Sequence, residues 1–206
     1  MDECALLWAI HWPEQGTVKD YADNFFDYVM RKSDHCDVSL TSDRYYDHSI
    51  KSVTRGARAG KNASRRHHLI LSSPLPPQKI VLTVDENKRQ LTDIICEYTV
   101  ERARANEEPA RHKLLVSGRE PLPLELLRGH KRNREDLRTT HEETGVTMMY
   151  QGIQSARSGV QSVKVISDDT DVFALLMHFS IQNKKSRSFI IEAQVKRVSQ
   201  LIYTHP

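Results

Sequence analysis

A chain of 206 residues with 30 Lys and Arg against 27 Asp and Glu has a formal net charge of only +3. That balance excludes a polybasic arm or an acidic tail as its main character. Hydrophobic residues make up 38%, enough at this length for one sizeable core. No apolar run reaches the length of a membrane-spanning helix, and three scattered cysteines without a CxxC pair fit neither a disulfide framework nor a zinc ribbon. The amino-terminal MDECALLWAIHWPEQ lacks a basic start and breaks at Pro13, unlike a secretory signal. The expectation is a soluble, intracellular chain of the nucleus or cytoplasm with no membrane partner.

The apolar run Ala5 to Ile10 reads as a short helix broken by Pro13. Val18, Tyr21, Ala22, Phe25, Phe26, Val29 and Met30 recur with the spacing of one helical face. DVSLTS (37–42) alternates as a strand does and is closed by Asp43. Residues 49–68 hold Lys51, Arg55, Arg58, Lys61, Arg65 and Arg66 and no acid, and Gly60 and Asn62 predict an irregular stretch. SSPLPP (72–77) is an extended connector, because each proline biases its predecessor away from helix. IVLT (80–83) reads as a strand. Asp85 then caps a helix running to about Ala105, with Leu91, Ile94, Ile95 and Tyr98 inward.

KLLVS (113–117) is the next strand, and the apolar PLPLELL (121–127) fits either state. Thr139 or Thr140 caps a helix carrying His141, Glu142, Glu143, Val146, Met149, Tyr150 and Ile153. SVKVIS (162–167) is a buried strand, DDTD leads into a helix with Val172, Leu175, Leu176 and Phe179 on one face, and SFIIEA (188–193) is the last strand. Strands alternating with helices predict an α/β fold with a mostly parallel central sheet flanked by helices. One domain spans 1–206, with the basic segment and Pro-rich connector at about 51–78.

The strongest chemical signal is VKVISDDTDVFALL (163–176). A strand stopping at Ser167 puts Asp168 and Asp169 at its carboxyl end and Asp171 in the first turn of the next helix, where open α/β sheets hold ligands. Three acids in four residues repel one another, and carboxylate oxygens without His or Cys suit Mg²⁺ or Mn²⁺. Helix capping explains the same residues without a metal, and the two readings have equal weight at this point. Asp43 at a strand end and Glu142 and Glu143 near a helix start sit in comparable settings, with capping again the plain alternative. HEET lacks the second histidine of a zincin, and the NAS at 62–64 is a chance glycosylation match in an intracellular chain.

Taken in order, DECALLW (2–8), DVSLTSDRYYDHSIKSVTRGAR (37–58), THEETG (140–145) and VISDDTDVFALL (165–176) resemble the PIN-like nucleases, in their flap-endonuclease-like branch. More closely, the chain is similar to a group of multi-copy animal proteins with an aspartate-arginine-tyrosine and DDTDVF signature. The resemblance implies a three-layer fold and a cup of acids around two Mg²⁺ or Mn²⁺ ions that cuts phosphodiesters of DNA or RNA. Carried over, Asp2, Asp43, Glu143, Asp169 and Asp171 are the metal acids, with Glu142 and Asp168 as neighbours sharing the load. Of these, Asp43, Glu143, Asp169 and Asp171 form the catalytic set. The basic residues Arg44, Lys51, Arg55, Arg58, Lys61, Arg65 and Arg66 would hold substrate phosphates, and Tyr45 and Tyr46 would stack on bases or pack in the core.

The chain also departs from that family. Only Met1 precedes Asp2, Gly145 stands where a second helical acid is expected, and the chain ends before a downstream Gly-x-Asp segment. The expectation is therefore a domain truncated at both ends and lacking its central first strand. It is either a metal-dependent nuclease or a catalytically degenerate module that binds nucleic acid or a protein. In a third reading all its acids are helix caps.

Overall fold

The computed structural model describes residues 1–44, 66–106, 111–182, 189–193 and 201–202. Its helices are α1 (Glu3–Ala9), α2 (Val18–Ser33), α3 (Gln78–Thr83), α4 (Asp85–Ala105), α5 (Thr144–Arg157) and α6 (Thr170–Gln182). Its strands are β1 (Val38–Thr41), β2 (Leu114–Ser117), β3 (Leu124–Leu127), β4 (His130–Asn133), β5 (Val163–Ser167), β6 (Phe189–Ala193) and β7 (Leu201–Ile202). No helix among the described residues is long and apolar enough to cross a membrane.

Among the described residues two sheets form, in the orders β1-β2-β3-β4 and β5-β6-β7. Of their strand pairs only β1–β2 and β5–β6 are parallel, so the fold described is mixed α/β rather than mostly parallel. The departure has a local cause. Arg128 and Gly129 have φ of 51° and 75°, the two left-handed residues of a tight hairpin turn, and that turn folds β4 back antiparallel on β3. The extended state of 124–127 follows from this pairing, and β4 escapes sequence reading because HKRN has no apolar residue to show a period.

Met1 and Asp2 join the sheets. Thr41 N donates to Met1 O at 2.9 Å, and Asp2 N donates to Ile166 O at 2.9 Å, so these two residues lie between β1 and β5. Asp2 then turns the chain into α1, its Oδ1 accepting from Cys4 N at 2.9 Å as the helix cap.

Side chains on the strands alternate between two environments, as the pleat requires. Val38 and Leu40 of β1, with Ile166 of β5, belong to the main core with Leu6, Phe25, Leu91 and Ile95. Val165 instead packs with Met148 of α5 and with Val172 and Leu176 of α6. Ser39 and Thr41 meet Gln151 of α5, whose Oε1 accepts from Ser39 Oγ at 2.5 Å and from Thr41 Oγ1 at 3.4 Å. Gln151 Nε2 donates to Ser117 Oγ at 2.6 Å. A single amide thereby fixes α5 across β1 and β2.

α2 begins at a capping box, Thr17 Oγ1 accepting from Asp20 N and Asp20 Oδ2 from Thr17 N. Its buried Tyr21, Phe25 and Val29 match the expected face. Residues 80–83 are helical instead of extended: Pro77 starts α3, where a missing N–H costs nothing, and Ile80 N and Val81 N donate back to Pro77 O. The β-branched run misled because only Val81 and Leu82 of α3 turn inward. Asp85 is the first residue of α4 rather than its cap; Val84 holds the cap position without a side-chain bond. α5 also starts later than expected, at Thr144, with Glu143 at its cap position. Thr139 and Thr140 do not cap it, because Thr139 O and His141 O are acceptors for the Arg44 guanidinium, in a stretch that is not helical.

Close packing of α5 on α6 depends on Gly145, where a Cβ would stand 2.8 Å from Val172 Cγ2. Gly145→Ala near the helix start gains little propensity and overpacks a β-branched neighbour. We expect it to lower stability by about 1 kcal/mol in urea melts, with the penalty vanishing in a Val172→Ala background when the double-mutant cycle is completed.

Candidate metal centre

Of the acids expected to act together, Asp2, Asp43 and Asp168 lie near the carboxyl ends of β1 and β5 and influence one another electrostatically. Asp2 lies between the two strands and is 5% exposed. Its Oδ2 accepts from Ser167 Oγ at 2.9 Å, while Oδ1 caps α1. Burial pushes its carboxyl up to about 6, and the charges of Asp43 and Asp168 push the same way, against the bonds from Ser167 and Cys4. Asp2 therefore registers a charged neighbour on each side.

Asp43 follows β1 and meets the start of α5. Its Oδ1 accepts from Thr144 Oγ1 at 2.6 Å and from Thr144 N at 3.3 Å. This is a capping bond supplied from a distant segment, and the positive end of the helix favours the carboxylate. The other oxygen, Oδ2, accepts from Cys4 Sγ at 3.4 Å and lies 4.0 Å from Lys88 Nζ of α4. Glu142 is tied in by Arg44 N, which donates to its carbonyl at 3.0 Å. Glu142 and Glu143 thus lead into α5 beside Asp43, rather than riding on the helix.

Past β5, Asp168, Asp169 and Asp171 are exposed. Asp169 N donates to Ser167 Oγ at 3.2 Å, the hydroxyl that also serves Asp2. Asp169 Oδ1 accepts from Asp171 N at 2.9 Å, so the capping role expected of these acids is present in Asp169.

The donor set consists of hard carboxylate oxygens, the chemistry of Mg²⁺ or Mn²⁺. Among the described residues, however, no three His, Cys, Asp or Glu side chains form a group able to hold a metal ion. Asp43 is turned toward Thr144 and Cys4, and Asp169 toward its own helix. The residues fit the ion by chemistry and by charge excess, and not as a preformed ligand shell.

Arg44, expected to hold phosphates, is 3% exposed. Its Nε donates to Gly118 O at 3.0 Å and its Nη1 to Thr139 O at 2.5 Å and His141 O at 3.2 Å. Nε and Nη1 are committed to backbone carbonyls and clamp the segment before α5. Arg66 is exposed beside His67, whose N donates to Asn87 Oδ1 at 2.8 Å. Lys51, Arg55, Arg58, Lys61 and Arg65, with Tyr45 and Tyr46, lie outside the described residues.

Two groups here were not anticipated. Lys88 sat unremarked in the charged first turns of α4. Glu3 is fully buried under the site; its Oε2 accepts from Ser42 Oγ and, at 3.6 Å, from Cys96 Sγ, while Oε1 has no partner. Its signal was legible, since Glu3, Leu6, Leu7 and Ile10 occupy one helical face. Burial pushes the Glu3 carboxyl up to about 8, against the Ser42 and Cys96 bonds. Burial also pushes the Cys96 thiol up.

Between an unfolded value of 4.5 and a folded value of about 8, folded Glu3 keeps a proton that the unfolded chain has released. Its contribution to stability is complete below the lower value and is lost as pH rises toward the upper one. Glu3→Gln removes this dependence. In chelator-treated buffer the variant should gain on the wild type by up to about 1 kcal/mol per pH unit across that window; parallel urea curves at every pH would refute a buried neutral acid. Comparison of the chain with family models, with curated proteins and with solved structures finds no match, so what these carboxylates do rests on their own geometry.

Proposed function

We propose that the chain is a metal-dependent phosphodiesterase domain acting on DNA or RNA, with a PIN-like three-layer arrangement and an intracellular location. The observation that carries this reading is the placement of Asp2. Its buried carboxyl stands between β1 and β5 and feels Asp43 on one side and Asp168 on the other. Excess negative charge held at strand ends by hydrogen bonds is costly unless a cation shares it.

In this reading Asp2, Asp43 and Asp168 hold Mg²⁺ or Mn²⁺, with Asp169, Asp171, Glu142 and Glu143 at the rim. Bound there, such an ion supplies the positive charge that activates water and stabilises the leaving oxygen of a phosphodiester. The protein's own part is positional. Ser167 orients Asp2, Thr144 at the start of α5 orients Asp43, and Lys88 brings a positive charge that a substrate phosphate can share. The exposed Arg66 and the basic residues 51–65 would add salt-dependent, sequence-independent affinity.

A second reading, a module that binds nucleic acid or protein without chemistry, has one observation in its favour. The space beside Gly145 is filled by Val172, leaving no room there for another acid.

Titrating Mn²⁺ into the purified chain, with melting temperature and cleavage of a labelled single strand or flap as readouts, separates the two. The nuclease reading expects melting to rise with Mn²⁺ and cleavage to fall at least about 100-fold in Asp43→Asn and Asp168→Asn. Oligonucleotide binding that ignores metal, with no cleavage, supports the binding module and sinks the enzyme.

A further inference from the structure

At the far edge of the β1-β2-β3-β4 sheet, β4 exposes every one of its four side chains. The tight turn makes Leu127 and His130 a hydrogen-bonded pair, and the ladder continues through Glu125–Arg132 to Arg134 N, which donates to Pro123 O at 2.9 Å. The alternation of an antiparallel ladder then leaves the N–H and C=O groups of Lys131 and Asn133 pointing away from β3. Among the described residues nothing pairs with that outer edge.

Side-chain charge along the edge has one sign: Arg128, Lys131 and Arg132. The acids nearby are already engaged. Arg134 holds Glu125 at 2.5 Å and Asp136 at 2.7 Å, and Arg138 holds Glu135 at 3.2 Å.

We propose that β4 is a docking edge for an extended acidic peptide, which adds to the sheet as a fifth, antiparallel strand. Alternating main-chain donors and acceptors are what a peptide strand presents in return. A phosphate backbone offers acceptors only. A second copy of this chain is excluded as the occupant, because pairing β4 with itself sets like charges opposite one another. Carboxylates on one face of the incoming strand meet the cation that β4 presents on that same face.

The test uses the full chain and a labelled, end-blocked hexapeptide of alternating Glu and Val, followed by fluorescence anisotropy. We expect saturable binding that weakens at least tenfold in Lys131→Glu/Arg132→Glu and when alternate peptide nitrogens are methylated. Asn133→Pro, which removes an outward N–H and no ladder bond, should weaken it as well, with an unchanged circular dichroism melt. Three outcomes would overturn the proposal: no binding of the hexapeptide, equal binding of its N-methylated form, or mutation-sensitive binding of an oligothymidine in its place. The charge-reversal pair lies at exposed positions and keeps the test decisive if the proline variant unfolds.

Discussion

The structure turns on the seating of Met1 and Asp2 between β1 and β5. Backbone hydrogen bonds to Ser39 and Thr41 on one side and to Ile166 on the other connect sheets that share no strand pairing among the described residues. Because Asp2 also caps α1, its carboxyl is fixed by secondary structure on two counts before any ligand is considered. It cannot retreat to solvent without releasing a helix start and a sheet junction together. Proximity of Asp2 to Asp43 and Asp168 is therefore a product of chain topology, and those charges add to the burial that chiefly raises the Asp2 carboxyl.

Buried polar groups organise the surroundings. Gln151 reaches from α5 to hydroxyls on β1 and β2, and Arg44 gathers carbonyls from Gly118, Thr139 and His141. Glu3 adds a neutral acid beneath Ser42, the residue before Asp43. Such contacts are directional, unlike the apolar packing around Phe25 and Leu91, and they set the register of elements that hydrophobic burial alone would leave free to slide. They lie along the route by which the start of α5 is carried to Asp43.

Much of this was legible in residue order. The amphipathic spacing of α2, the inward Leu91 and Ile95 of α4, and the β5–Asp–α6 junction all obey local rules, and the structure places them as expected. One misreading overlooked a signal close by in the chain, and another had a remote partner. Residues 80–83 look extended until Pro77 is seen to start a helix, and Thr139 looks like a cap until Arg44 claims its carbonyl. β4 has no apolar signature, since it is defined wholly by its turn and by β3. Of the centre itself, the acid types and their strand-end settings could be read. That Thr144 and Ser167 would orient them, and that Lys88 would stand near, required three-dimensional neighbours.

The fit of Gly145 against Val172 bears on how such a centre can change over evolutionary time. A carboxylate introduced at position 145 needs a smaller neighbour on α6, and trimming Val172 first opens a void beside Met148. Each step alone is penalised, so the two must arrive together. The helix pair thus acts as a ratchet that holds position 145 at glycine.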